Sequence, residues 1–136
     1  MKTQLNIKNN DLRSKLNNAV LLRTEGTSNK AEFEYLMKMA RDESAKVRSS
    51  AIRAIGLINE HPELSVPVLN KALFDSDPQV KQYAAAALGL FSVIDLLNYE
   101  SVDCLKIAII DADRISFEFI SETLMKIEQE TSVCLL

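Results

Sequence analysis

Glycine and proline are scarce in this sequence, at three residues each among 136, which leaves little material for tight turns and argues against a fold of many short strands. Tryptophan is absent and aromatics make up only 6%, so the core must be built mostly from Leu, Ile, Val and Ala. Cysteine occurs twice, at Cys104 and Cys134, without metal-ligand spacing and without a disulfide framework, so a reducing cytoplasm is the expected setting. Cys104 falls among Val102, Leu105 and Ile109 and reads as a buried structural thiol. Cys134 is third from the end, out of position for a prenylation box. There is no basic excess: 16 Lys and Arg against 19 Asp and Glu give a net charge of −3. That balance argues against a generic nucleic-acid binder, although a local basic strip is still allowed. No run approaches the roughly 18 apolar residues of a membrane span. Asn9, Asn10, Asp11 and Arg13 stand where a signal peptide would need an apolar segment. The expectation is a soluble single domain over residues 1–136, with 1–10 as a lead-in and 131–136 as a frayed tail.

What the sequence does contain is a block that occurs twice. Asp42 to Gly56 and Asp75 to Gly89 share Asp, Val, a basic residue, two Ala and Gly at a spacing of 33. With a spacing of 36 the pattern extends further. Val66, Leu69, Ala72, Leu73, Asp75 and Asp77 match Val102, Leu105, Ala108, Ile109, Asp111 and Asp113, with about three extra residues near Asn98 to Glu100. A period of this length predicts stacked helical hairpins, none of which can bury its apolar face alone.

Local signals place about seven helices. Asn10 or Asp11 caps the first, which carries Leu12, Leu16, Ala19 and Val20 and stops at Gly26. Ser28 or Asn29 starts the second, with Phe33, Leu36, Met37 and Ala40 inward. The third runs from Ala45 to Asn59 with Val47, Ala51, Ala54, Ile55 and Ile58 as its apolar stripe. Pro62 opens the fourth, which runs to Phe74 with Pro67 still in its first turn. Asp77 and Pro78 start the fifth, burying Val80, Ala84, Ala87, Leu88 and Phe91. The sixth carries Val102 to Ile109, and the last runs from Asp113 to Glu130 with Ile120, Leu124 and Ile127 inward.

The two blocks resemble HEAT repeats, and are similar to the short bacterial HEAT-like type also found in phycobiliprotein lyases. The resemblance implies an all-α, right-handed α-solenoid of about three hairpins, preceded by one helix that looks like a half repeat. It further implies that the second helix of each pair lines the concave side, and that Asp42, Arg48, Asp75 and Lys81 knit adjacent repeats. Two departures stand out: Lys81 replaces Arg, and the third copy has Ser116-Phe117 where Val-Arg is expected.

On the second helices, the positions left over once the apolar stripe is buried are Ser49, Ser50 and Arg53, then Gln82, Tyr83 and Ala86, then Glu118, Phe119 and Glu122. Stacked side by side, Ser50, Tyr83 and Phe119 make a row with two aromatics, and Arg53, Ala86 and Glu122 a row running from basic to acidic. Such a surface suits a protein partner, since aromatic and Arg anchors dominate interface energies. The alternative is that Tyr83 and Phe119 only cover the edge of a small core.

Other chemistry has less support. His61 precedes Pro62 at a helix break and reads as a turn residue, not a general base. Asp75 with Asp77, and Asp111 with Asp113, are explained as helix-start carboxylates. No metal set, phosphate loop or nucleophile–base motif is present, so neither a cofactor nor catalysis is expected. Arg41, Lys46, Arg48 and Arg53 cluster around one hairpin, but Lys46 and Arg48 lie on different sides of their helix and later repeats offer mostly Gln and Glu. The expectation is therefore a non-enzymatic interaction module: an adaptor, inhibitor or assembly factor that binds a protein on its concave face. A lyase-like or other small-molecule-binding subunit is the alternative, and a nucleic-acid backbone binder a further one. Self-association through the apolar ends of the stack stays open.

Overall fold

The computed structural model describes residues 5, 10–27, 29–58, 60–93 and 99–135. Every regular element among them is an α-helix: α1 (Leu12–Glu25), α2 (Lys30–Met39), α3 (Ala45–Leu57), α4 (Pro62–Ala72), α5 (Pro78–Val93), α6 (Tyr99–Ala108) and α7 (Arg114–Leu135). Ser28, Asn98 and most of the expected lead-in lie outside the described residues.

Short polar side chains set the helix starts. The Ser14 N–H donates to Asp11 at 2.7 Å, the Glu32 N–H to Asn29 at 2.9 Å, and the Val80 N–H to Asp77 at 3.1 Å. Ser116 donates through its N–H to Asp113 at 2.9 Å. Each cap satisfies a backbone donor that the helix itself leaves unpaired, typically worth about 1 kcal/mol. Gly26 ends α1 at φ 75°, a left-handed conformation that favours glycine, while its N–H closes on the Leu22 carbonyl at 2.8 Å.

Three expectations are corrected. Pro67 lies beyond the first turn of α4, because the helix already begins at Pro62, and it costs that helix one backbone hydrogen bond. Helix α7 continues past Glu130 to Leu135. In α1, Leu12 and Val20 are exposed, and the buried set is Asn18, Ala19 and Leu22.

The helices form two rows. Helices α1, α3, α5 and α7 pack side by side in the main row, and α5 against α7 is the most extensive contact of all. Helices α2, α4 and α6 make the second row, each packed on its hairpin partner α3, α5 or α7. The core runs between the rows through Phe33, Leu36, Val47, Ile55, Leu69, Leu73, Leu88, Phe91, Leu105 and Ile120, all essentially inaccessible. Burying each of the larger of these side chains is worth about 1.5–3 kcal/mol. Because α3 and α5 are flanked on both sides, they also bury Ile52 and Ala85, which a single apolar stripe does not include.

Two devices knit the main row. One is close approach at the repeated glycines. A β-carbon on Gly56 would lie 2.6 Å from the Ala87 β-carbon, and one on Gly89 would lie 3.4 Å from Thr123 Oγ1. The buried Thr123 hydroxyl donates across the α5–α7 seam to the Ala85 carbonyl at 3.0 Å. The other device is a pair of charge clamps, from α1 to the turn that opens α3 and from α3 to the turn that opens α5. Arg48 on α3 grips Asp75 with two nitrogens, Nε at 2.9 Å and Nη2 at 3.1 Å, while its Nη1 donates to the carbonyls of Asp42 and Glu43. One repeat earlier, Lys15 on α1 holds Asp42 at 2.6 Å.

Candidate interaction surface

The open side of the main row is set by where each helix turns its remaining faces. With its neighbours on two sides and the second row on a third, a middle helix has one side free. On α3 that side shows exposed Arg53 and half-buried Ser50; on α5, half-buried Tyr83 and Ala86; on α7, exposed Phe119 and Glu122. On α1, Val20 stands 33 residues before Arg53 and is also exposed.

Two of these side chains are joined across a repeat boundary. The Arg53 guanidinium carbon sits 5.5 Å from the centroid of the Tyr83 ring, so a cation on α3 is stacked on an aromatic of α5. Tyr83 packs its ring against the core and receives a hydrogen bond on its hydroxyl from Gln79 Nε2 at 3.4 Å. Phe119 is 40% exposed. Tyr83 therefore both covers the core and shows a face, whereas Phe119 stands free of it. Glu122 is matched by Lys126 at 3.5 Å, and Glu118 by Arg114 at 3.8 Å, both weak pairs on solvated surface.

Of the other positions expected to be exposed, Ser49, Gln82 and Glu118, the structure leaves only Glu118 fully so. Ser49 is buried, with its hydroxyl donating to the Lys46 carbonyl at 3.1 Å, and it faces the seam, not solvent. Gln82 is half-buried at the equivalent place, and Glu118 is exposed because no described helix packs beyond α7.

Sequence reasoning did not find a second concavity of about 720 Å³ between α2 and α4, on the other row. Met37, Ala40, Pro67, Val68 and Phe74 give it an apolar floor, with Arg41 and Lys71 at its margin and the Arg48–Asp75 clamp beneath. It also did not find Lys15 as a partner for Asp42. The signal was available, since Lys15, Arg48 and Lys81 are spaced by 33. The clamp perturbs its acid. Burial opposes the Asp42 charge, but the Lys15 hydrogen bond, the Ser44 N–H and the charges of Lys15 and Arg48 together outweigh it and hold the carboxyl below its ordinary range.

His61 is accounted for by packing: its ring lies 5.1 Å from that of Phe33, tilted by 54°. Cys104 is half-buried and unpaired, and burial together with Glu100 and Asp103 pushes its thiol up, away from the reactive thiolate. Among the described residues no three His, Cys, Asp or Glu side chains converge as a metal site, and no helix is long and apolar enough to cross a membrane.

The family model described as HEAT repeats matches residues 33–115, more than half of the chain, from Phe33 on α2 to the start of α7. No curated protein and no solved structure matches the chain.

Proposed function

The chain belongs to the HEAT-repeat family, and from that premise we propose that it is a non-enzymatic interaction module holding a protein partner across the open face of α1, α3, α5 and α7. The observation that carries this reading is the Arg53–Tyr83 stack with Phe119 in line on the next helix. Arg and aromatic side chains are the usual anchors of protein interfaces. Here they are held on packed helices before any partner arrives, so little side-chain freedom is lost on binding. An adaptor, an inhibitor and an assembly factor would all use this same rigid presentation. The unpaired Cys104 suits a reducing, cytoplasmic setting.

The test is the affinity of a co-purified partner for Tyr83→Ala/Phe119→Ala and, separately, for Arg53→Glu, which is exposed and leaves the core intact. Binding weakened at least tenfold with unchanged helicity by circular dichroism supports this face. Full affinity in both folded variants removes it.

A further inference from the structure

The outer side of α7 carries an interface that is complementary to itself. The register of the stack identifies this side. On α3, Arg48, Ile52 and Gly56 form the edge that meets α5, through the Asp75 clamp and the Ala87 contact. On α5, Lys81, Ala85 and Gly89 stand 33 residues on and form the edge that meets α7. The same positions on α7, 36 residues further, are Phe117, Ser121 and Met125. No described helix covers them: Phe117 is 48% and Met125 57% exposed. A repeat whose outer edge meets solvent normally turns a polar face outward. Here the position that holds Arg in the first copy and Lys in the second has become Phe.

Arg114 and Glu128 extend this edge at its two ends, so that Arg114, Phe117, Ser121, Met125 and Glu128 follow one another at intervals of 3, 4, 4 and 3 and share one side of the helix. The order is palindromic about Ser121. When two such helices pack antiparallel on a twofold axis at Ser121, Phe117 of each copy lies opposite Met125 of the other, a favourable sulfur–aromatic pairing. Arg114 of each copy likewise lies opposite Glu128 of the other. The small Ser121 at the axis lets the backbones approach. Both charged residues are exposed, and Arg114 makes a long 3.8 Å contact with Glu118. We propose that α7 is a homodimerisation helix, and that a second copy of this chain packs antiparallel on it through Phe117, Ser121 and Met125 with reciprocal Arg114–Glu128 pairs. A twofold contact is isologous, so each pairing occurs twice and the assembly closes as a dimer. The open face proposed for a protein partner lies on another side of α7 and stays accessible in the dimer.

Sedimentation equilibrium of the 136-residue chain tests this, with helicity checked by circular dichroism. The wild type is expected at twice its 15.2 kDa monomer mass. Ser121→Arg sets two cations against each other at the axis and yields the monomer. Arg114→Glu and Glu128→Arg each replace two attractive pairs by two repulsive ones and weaken the dimer roughly tenfold. Both positions are exposed, and Arg114→Glu also suits the positive N-terminal end of α7, so the fold tolerates the changes. The double reversal Arg114→Glu/Glu128→Arg restores the pairing and returns the dimer to near wild-type strength. A wild type that stays monomeric at high micromolar concentration overturns the proposal. So does a dimer indifferent to Ser121→Arg, or a double reversal no tighter than either single one.

Discussion

At the scale of single residues, the two repeated glycines make different demands. At Gly56 a β-carbon would overlap the Ala87 β-carbon at 2.6 Å, so two helices would have to separate. At Gly89 the nearest atoms belong to the Thr123 side chain, at 3.4 and 3.5 Å, an ordinary contact distance. Gly56→Ala is therefore expected to lower stability by about 1–2 kcal/mol, overpacking outweighing any gain in helix propensity. Gly89→Ala is expected to be neutral or stabilising by up to about 1 kcal/mol. Thermal unfolding of the pair checks this, and equal effects at both sites would contradict the close-packed α3–α5 seam. Ser49 marks the limit of reading exposure from polarity. A serine can satisfy its hydroxyl on a carbonyl of its own helix, as Ser49 does on Lys46, so its chemistry says nothing about which way it faces.

At the scale of elements, the charge clamps rest on which cation each helix carries. Arg48 makes two bonds to Asp75 and two to backbone carbonyls, of which only the one to Glu43 is exposed. Arg48→Ala should cost about 2 kcal/mol and Arg48→Lys about half of that, because an ammonium cannot form the paired contact. Lys81 forms no ion pair with a carboxylate among the described residues, so Lys81→Ala should cost under about 0.5 kcal/mol in the same denaturant titration. The clamps also predict an acid limit. Asp42 is held below its ordinary range by Lys15 and its other partners despite burial, and Asp113 is held down by the N–H and hydroxyl of Ser116. Carboxyls depressed in the folded state add stability above their unfolded value, near pH 4, and lose it as pH falls through the folded value. The melting temperature should thus hold from neutrality to about pH 5 and drop below about pH 4, with a shallower drop in Asp42→Asn. An acid profile unchanged in Asp42→Asn would contradict the clamp. The family resemblance of the repeated blocks implied the Arg48–Asp75 clamp, whereas Lys15 lies outside those blocks and Lys81 supplies no matching clamp on α5. Helix α1 departs from its apolar spacing because, among the described helices of the main row, it is flanked by α3 alone, so it turns Leu12 and Val20 to solvent and buries Asn18 and Leu22.

At the scale of the whole molecule, periodicity made the architecture legible. A spacing of 33 residues repeats the side chains that touch the neighbouring hairpin, so one pair of blocks announces the stack. The open face was only partly legible, because exposure in a solenoid depends on which neighbours a helix has. The same register is seam at Ser49 and free surface at Glu118. The central claim is that the open face of the main row holds a protein partner, with the Arg53–Tyr83 stack and Phe119 as anchors. The measurement that tests it most directly is an affinity pull-down from the native cell with nuclease treatment, an absorbance spectrum of the eluate, and a parallel Tyr83→Ala/Phe119→Ala bait. The account predicts a colourless, stoichiometric polypeptide that survives nuclease and is lost with the variant bait. A nuclease-sensitive or pigmented eluate, or a partner retained in full by the folded variant, would contradict it.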